Sequence, residues 1–170
     1  MTKTDVNQAL RDTVIVARNE YKYVGTLTVD CETVPMVRCR ISSINQVLLN
    51  LIVNAAHALA DQKHTPESGR IEIKSRREED WAIISVADNG CGIPDDIGER
   101  IFDPFFTSKE VGRGTGQGLA IARAIIVEQH AGRLLFKSKV GEGSTFEVWL
   151  PVAGPPISVE TSVSATGQST

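Results

Sequence analysis

The sequence predicts an α/β fold, a two-layer sandwich in which a mixed, mostly antiparallel sheet of about five strands carries three helices on one face. Segments with strand-like patterns come in adjacent pairs, and a segment with helical spacing of apolar residues precedes each pair. A doubly wound parallel sheet would instead place a helix between successive strands. The repeated order of one helix and two strands therefore favours the sandwich.

The first helix and its strand pair lie before residue 41. Apolar side chains recur at helical spacing over residues 5–20, with Val6, Leu10 and Val14 on one side. Two short segments then alternate like strands, residues 24–30 and 36–40.

The second unit begins with the clearest helix of the chain, residues 43–59. Ser43 is the expected N-cap, because Gln46 three residues later completes a capping box ahead of an apolar run. The polar residues 61–69 follow as a loop. A charged turn then joins two strands, residues 69–77 and 81–87.

A long segment without periodicity precedes the third unit. Residues 88–115 are rich in Gly, Pro, Asp and Ser, and such a stretch inside a compact domain is usually functional or mobile. A helix is expected over residues 116–129, with Gly132 as its C-cap. Two last strands follow, residues 133–139 and 145–150.

Length and composition fit one globular domain. The 170 residues are 41% hydrophobic and 23% charged, which indicates a single core. We place the folded domain at residues 1–151 and interpret residues 152–170, rich in Pro, Gly, Ser and Thr, as a disordered tail or linker. A net charge of −3 without a basic stripe argues against a nucleic-acid partner.

The cysteines and the hydropathy favour a cytoplasmic location. Three cysteines without a C-x-x-C pattern argue against a disulfide framework or a zinc site and fit a reducing compartment. No apolar run approaches the roughly 20 residues of a membrane span, so no direct membrane contact is expected. The same features fit the cytoplasmic part of a membrane-bound protein.

The second helix carries a polar stripe on an otherwise apolar surface. Asn50, Asn54, His57 and Asp61 recur at helical spacing and share one face. A polar stripe on a buried helix must meet water, another polar group or a ligand. Amide oxygens suit Mg²⁺, which also takes oxygens from phosphate groups. Simple exposure of the stripe to solvent is the alternative.

A carboxylate stands at the end of the strand 81–87. Asp88 follows this strand directly, and its side chain can accept a hydrogen bond from an exocyclic amine such as that of adenine. Gly90 and Gly92 allow the backbone to turn sharply and to approach a flat ring. A plain Asp-Asn-Gly turn is the alternative.

Three further glycines, Gly114, Gly116 and Gly118, open the last helix. Backbone N–H groups at a helix N-terminus form an anion site, and glycines let phosphate groups reach them. The string is not a P-loop, because no Lys-Ser or Lys-Thr follows, and it is not a dinucleotide fingerprint, because no strand precedes it. A flexible loop that leads into a helix cap is the alternative.

The segment between the two glycine strings has the composition of a lid. Residues 101–109 hold three of the five phenylalanines, which we expect to form a small core that pins one end of the loop. Lys109 and Arg113 lie in the same loop and are candidates for contacts with terminal phosphates. Together, these features in this order predict a site for ATP with Mg²⁺.

Residues 5–151 resemble the catalytic ATP-binding domain of bacterial two-component sensor histidine kinases, in the GHKL superfamily. The resemblance implies the Bergerat ATP-binding fold, which agrees with the element order. It rests on five motifs in a fixed order, namely the N box at 50–55, the first glycine box at 88–92, the F box at 102–109, the second glycine box at 114–119 and the closing glycine motif at 141–146.

This resemblance implies a role for each matching residue. Asn54 would coordinate Mg²⁺, with Asn50 and His57 completing the catalytic set near the phosphates, and Asp88 would bind the adenine amine. It places Thr145 close to the adenine, next to Asp88. It assigns the other ATP contacts to Gly90, Gly92 and Ile93 around the base, to Phe102, Lys109 and Arg113 at the lid of residues 95–115, and to Gly114, Thr115, Gly116, Gln117, Gly118 and Leu119 at the phosphates.

The reaction is implied by one departure from the hydrolysing members of the superfamily. Those members carry a Glu four residues before the metal-binding Asn, as general base for water, where this chain has Asn50. Because an amide cannot take a proton from water, transfer of the γ-phosphate to a protein histidine is favoured over hydrolysis. The alternatives are a non-catalytic nucleotide-binding module, which the unusual Gln117 leaves open, and an ATPase of the same superfamily.

The three histidines lack the context of a phosphoacceptor. His57 lies in the N box, His64 in a polar loop and His130 at a helix end. The resemblance therefore implies two partners, a phosphoacceptor hairpin that this chain lacks and a downstream response regulator. Dimerisation in the family belongs to that hairpin, so the isolated domain is expected to be a monomer.

Overall fold

The predicted order of helices and strands is found in the structure, a computed structural model that describes residues 1–106 and 117–157. The helices are α1 (Val6–Val16), α2 (Arg18–Tyr21), α3 (Ile41–Asp61) and α4 (Gly118–Arg123), with a short 3-10 helix (Gly98–Phe102) and a π-helical segment (Ala124–Gln129) that continues α4. The strands are β1 (Thr2–Thr4), β2 (Thr26–Cys31), β3 (Val37–Cys39), β4 (Arg70–Glu78), β5 (Trp81–Asp88), β6 (Arg133–Lys139) and β7 (Gly143–Pro151).

Five of these strands form the main sheet, in the order β2-β4-β5-β7-β6. Only β2 and β4 run parallel, and the other three pairs are antiparallel, so the predicted mixed and mostly antiparallel sheet is confirmed. The predicted strand near residues 36–40 does not join this sheet. It is β3, which pairs with β1 in a separate two-stranded sheet. The three polar residues of β1 gave no strand pattern in the sequence.

The hydrophobic core lies between α3 and one face of the sheet. Alternate residues of the central strands point to it, so that Ala82, Ile84 and Val86 of β5 lie opposite Leu150, Val148 and Phe146 of β7. Helix α3 covers them with its buried residues, Ile44, Val47, Leu48, Leu51, Ile52, Ala55, Ala56 and Leu59. Burial of this apolar area is the main force that holds the helix against the sheet.

Helix α3 is also long and apolar enough, by length and composition alone, to cross a membrane. Polar residues interrupt the apolar run of this helix, so the sequence shows no continuous apolar segment of that length. In the fold this helix is the central core helix, and its apolar residues pack against the sheet and α1. The core packing accounts for the composition.

Helix α3 begins two residues earlier than predicted. Arg40 is its N-cap, and the Arg40 carbonyl accepts hydrogen bonds from the N–H groups of Ser43 and Ile44. Ser43 therefore lies inside the first turn and does not cap the helix. A distant residue fixes the start of the helix, because the buried His130 side chain accepts the Arg40 N–H through Nε2 at 3.1 Å.

The last helical segment ends differently from the prediction as well. The left-handed residue is Ala131, with φ of 53°, and not Gly132. Gly132 is required for a different reason, since a Cβ at this position would lie 2.3 Å from the carbonyl oxygen of Trp149. Its N–H donates to the carbonyl of Ile126 at 2.8 Å and closes the π-helical segment.

The outer face of the sheet is covered by its own long side chains. Trp81 and Trp149 meet edge to face with ring centroids 6.1 Å apart. The guanidinium of Arg133 lies 4.8 Å from the Trp81 ring, and that of Arg76 lies 5.9 Å from the Trp149 ring. These contacts shield much apolar surface without a second helical layer.

Past the predicted domain boundary at residue 151 the chain remains in contact with the fold. The Val152 N–H donates to the carbonyl of Asp80, and the Val152 carbonyl accepts the N–H of Arg38. The tail over 152–170 stays a prediction, because residues 158–170 lie outside the described part of the chain.

We expect Leu150→Ala to lower the free energy of unfolding by about 2–5 kcal/mol, because this core side chain is 1% exposed and its loss leaves a cavity. Leu135→Ala is the matched control on neighbouring β6, where the side chain is 46% exposed, and should cost less than about 1 kcal/mol. Urea denaturation of both variants measures the difference. Equal losses would contradict the assignment of the inner face.

Candidate functional site

The site is built at the end of β5, the central strand of the main sheet. Asp88 is the last residue of β5 and lies opposite Ser144 of β7 on the face that α3 covers. Its Oδ1 accepts the N–H of Gly90 at 2.9 Å, which fixes the carboxylate at the start of the turn. The predicted strand-end position of this carboxylate agrees with the structure.

Burial raises the pKa of Asp88 to about 6. Hydrogen bonds from the backbone of Gly90 and Ser144 and the proximity of His64 act in the opposite direction and only partly compensate. At neutral pH the group is therefore ionised and still poorly solvated, so a ligand amine that donates to it would relieve part of its desolvation.

The glycines of the first string are required by close backbone contacts. Gly90 packs against α3, where an added Cβ would lie 2.6 Å from the carbonyl carbon of Ala58. Gly92 has φ of 74°, and its added Cβ would lie 2.3 Å from the carbonyl oxygen of Lys139. The turn after Asp88 is thus held between α3 and the end of β6.

Two serines that the sequence analysis did not single out support this turn. Ser138 of β6 accepts the N–H of Ile93 through Oγ at 2.7 Å, and the same oxygen lies 2.7 Å from the Oγ of Ser144. Both serines lie on the inner face of their strands, opposite each other in the register. The closing glycine motif beside Ser144 was the signal available in the sequence.

The expectation that Thr145 lies beside Asp88 is wrong. Thr145 pairs with Ala87, one residue out of step with Asp88, and side chains of adjacent strand residues point to opposite faces. Ser144 is the residue that lies beside Asp88, and it is 6% exposed. Ser144 therefore replaces Thr145 as the candidate for contact with the adenine base.

The polar stripe of α3 lies beside both glycine strings. Asn50 donates through Nδ2 to the carbonyl of Gly118 at 3.1 Å, and Ala58 contacts Gly90. Positions 50, 54 and 58 share one helix face, so Asn54 lies between the two contacts. Asn50, Asn54 and His57 are half-buried and Asp61 is exposed, so the polar stripe is partly open to solvent.

The small phenylalanine core predicted for residues 101–109 forms only in part, because Phe102 is buried and Phe106 packs against the core, whereas Phe105 is 71% exposed. Phe102 is 5% exposed and meets Phe136 edge to face at 5.7 Å, and Phe136 stacks on Phe146. The guanidinium of Arg123 lies 5.4 Å from the Phe102 ring. Phe102 thus anchors the 3-10 helix to the sheet and to α4.

The second glycine string is described in part. Gln117 precedes α4 as its N-cap residue, and Leu119 is half-buried against the core. The other predicted contacts fall on residues that lie outside the described part of the chain, namely Lys109, Arg113, Gly114, Thr115 and Gly116.

A known protein family matches the part of the chain that builds this site. The family model described as "Histidine kinase-, DNA gyrase B-, and HSP90-like ATPase" matches residues 39–154, which is more than half of the chain. The chain belongs to this family. The match runs from β3 to just past β7 and contains every element that contributes to the site.

Two curated sensor kinases illustrate the similarity within this family. Sensor histidine kinase ZraS from Salmonella typhimurium is 43% identical over 122 residues, which are 71% of this chain and 24% of that protein. Sensor kinase CckA from Brucella abortus is 39% identical over 130 residues, which are 68% of this chain and 13% of that protein. The chain therefore spans a quarter or less of the length of these relatives.

Solved structures match the domain over nearly its whole length. The catalytic domain of histidine kinase ThkA superposes with a TM-score of 0.74 at 30% identity, and the match covers 89% of this chain and 97% of that one. The mycobacterial sensor histidine kinase MprB shares the fold, with a TM-score of 0.72 at 23% identity. The fold of this ATPase-family chain is that of histidine kinase catalytic domains.

The donor set of this site fits a hard cation that binds together with phosphate. Among the described residues, no group of three or more His, Cys, Asp and Glu side chains could hold a metal ion. The half-buried amide of Asn50 donates to the carbonyl of Gly118 at the start of α4, and Asn54, also half-buried, lies one helical turn further along the same face. An amide oxygen combined with phosphate oxygens and water suits Mg²⁺ better than a transition metal.

The raised pKa of Asp88 predicts a pH dependence of stability. In the folded state Asp88 keeps its proton up to about pH 6, whereas in the unfolded state it releases the proton near pH 3.8. The protonated carboxyl therefore contributes to the stability of the fold below pH 3.8, and this contribution is lost as the pH rises through 6. We expect Asp88→Asn to lack this loss. Its stability relative to wild type should rise by about 2–3 kcal/mol between pH 4 and pH 7.

Urea denaturation of both proteins across this pH range gives the measurement. Subtracting the two curves removes the titration of all other groups that the proteins share. A difference that does not change with pH would contradict the raised pKa of Asp88.

Proposed function

We propose that this chain is the ATP-binding catalytic domain of a sensor histidine kinase in two-component signal transduction. One observation carries the proposal: both glycine strings contact a single face of α3, with Asn54 between the two contacts and Asp88 at the adjoining strand end. A nucleotide placed there would have its base at Asp88 and its phosphates between Asn54 and the start of α4. The similarity to the catalytic domain of histidine kinase ThkA supports the same class of function.

Each part of the nucleotide meets a matching group in this arrangement. The ionised Asp88 accepts the adenine amine, while the turn from Gly90 to Ile93 and the buried Ser144 line the base. Asn54, with His57 one turn further on, faces the phosphates and would hold Mg²⁺ through its amide oxygen. Mg²⁺ would neutralise charge on the phosphates during transfer.

Asn50 favours phosphotransfer to a protein over hydrolysis. Its amide donates to the Gly118 carbonyl and ties α3 to the start of α4, a bond that a Glu carboxylate could not make. Neither the amide nitrogen nor the amide oxygen can act as general base for water at neutral pH. The γ-phosphoryl group would pass from ATP to a ring nitrogen of an incoming histidine, leaving ADP, with catalysis by positioning and electrostatics.

The acceptor histidine belongs to a separate partner domain under this proposal. The two buried or half-buried histidines outside α3 are engaged in the fold, His130 with Ile125 and Arg40, and His64 with Asn89. A dimerisation and phosphoacceptor hairpin would supply the histidine, and a response regulator would receive the phosphoryl group next. We place this reaction in the cytoplasm, where ATP is available.

We expect the chain to bind ADP and a non-hydrolysable ATP analogue, and Asp88→Asn to weaken both at least about tenfold. The amide oxygen of the variant would stay on the Gly90 N–H, so an N–H donor would face the adenine amine, which needs an acceptor. Isothermal titration calorimetry measures the affinities. The control is Asp80→Asn, a change at an exposed carboxylate in the turn between β4 and β5 at the far end of β5, which should bind as wild type does. Folded wild-type protein that binds neither nucleotide would overturn the proposal. Steady release of inorganic phosphate from ATP would favour a hydrolase instead.

We expect Mg²⁺ to strengthen binding of the ATP analogue and Asn54→Ala to reduce that gain at least about tenfold, because the variant lacks the amide oxygen for the ion. The same titrations, with Mg²⁺ and with a chelator, give the comparison. Gln46→Ala removes an exposed amide from the same helix and serves as the control. A magnesium gain that survives in Asn54→Ala would place the ion elsewhere.

A further inference from the structure

The turn that carries the Asp88 carboxylate is fastened to a loop outside the recognised motifs. Residues 62–69 join α3 to β4, and this loop with the first residue of β4 occupies every hydrogen-bonding group of Asn89. The Asn89 side chain accepts the N–H of Arg70 at 2.7 Å and donates to the Ser68 carbonyl at 3.0 Å. Its N–H donates to the Arg70 carbonyl at 3.2 Å. Asn89 is therefore a structural tie between two segments.

His64 completes this tie. Its Nε2 lies 2.8 Å from the carbonyl oxygen of Asn89, and its Nδ1 lies 3.0 Å from the Oγ of Ser68. Because a carbonyl oxygen only accepts, Nε2 carries a proton and donates to Asn89, while Nδ1 shares the second hydrogen bond with the serine hydroxyl. Ser68 is itself fixed by the Thr65 N–H, which donates to its Oγ at 2.9 Å. The ring is thus held at both nitrogens and is half-buried.

The tie acts on the carboxylate through one peptide unit. Asp88 Oδ1 is held by the N–H of Gly90, and the carbonyl that His64 binds belongs to Asn89, the residue whose peptide bond supplies that N–H. A rotation of this peptide plane would move the carbonyl off His64 and the N–H off Asp88 together. The direction of the carboxylate therefore depends on a contact made by a residue that is 24 positions away in the chain.

We propose that His64 is a positioning residue for base recognition, which orients the Asp88 carboxylate through the Asn89–Gly90 peptide and so sets selectivity for a purine with an exocyclic amine. This inference rests on the proposed nucleotide-binding function and names a determinant of its specificity. His64 does not touch the ligand in this assignment. Loss of the tie should cost the part of the affinity that comes from the amine and spare the part that comes from the phosphates.

The test compares ADP with inosine diphosphate, which has a carbonyl in place of the adenine amine. In wild type, ADP should bind more tightly than inosine diphosphate. His64→Ala should weaken ADP about fivefold to tenfold and change inosine diphosphate less than about twofold. His64→Gln, whose amide N–H can donate to the Asn89 carbonyl, should recover most of the loss. Glu67→Ala, at an exposed position of the same loop, should bind both nucleotides as wild type does.

A double-mutant cycle with Asp88→Asn separates positioning from general destabilisation. If His64 acts through Asp88, His64→Ala should cost no further ADP affinity in the Asp88→Asn background. Equal weakening of both nucleotides, an unchanged ADP affinity or additive losses in the cycle would each overturn the positioning role. If wild type binds ADP and one of these results is found, only the positioning role is overturned and the proposed function stands. If wild type binds no ADP, the positioning role and the proposed function are both overturned.

Discussion

Contact between glycine backbone and one face of α3 is the constraint on which the rest of the site depends. Gly90 approaches Ala58 so closely that a Cβ would lie 2.6 Å from its carbonyl carbon, and Gly118 lies within hydrogen-bond reach of Asn50. These contacts set the distance between the end of β5 and the start of α4. A bulkier residue at the first contact would push the turn away from the helix, and the separation of base and phosphate positions would change with it.

Helix α3 serves the core and the site at once, and this dual role explains its composition. Its buried residues pack against the sheet and α1, which supplies the apolar burial that stabilises the fold. The remaining stripe carries Asn50 and Asn54, whose amides are held on a rigid element and not on a loop. Because the helix is fixed by the core, the polar groups are oriented before any ligand arrives.

Much of the fold and part of the site could be predicted from the sequence. Helical and strand periods predicted the element order, and the spacing of Asp88, the glycines and Asn54 predicted a nucleotide ligand. The predictions that failed depend on contacts between distant segments. Ser43 does not cap α3 because His130 fixes the chain at Arg40, and Thr145 does not face Asp88 because strand register turned it to the other face.

The sequence by itself determined which residue types stand at which intervals, since periodicity and local turn chemistry act over only a few residues. That was enough for the helices, the main strands and the motif order. Only the tertiary structure decided which serine lies beside Asp88, that β3 pairs with β1, and that His64 holds the turn after β5. These features arise from hydrogen bonds and side-chain packing between segments far apart in the chain, which leave no periodic signal in the sequence.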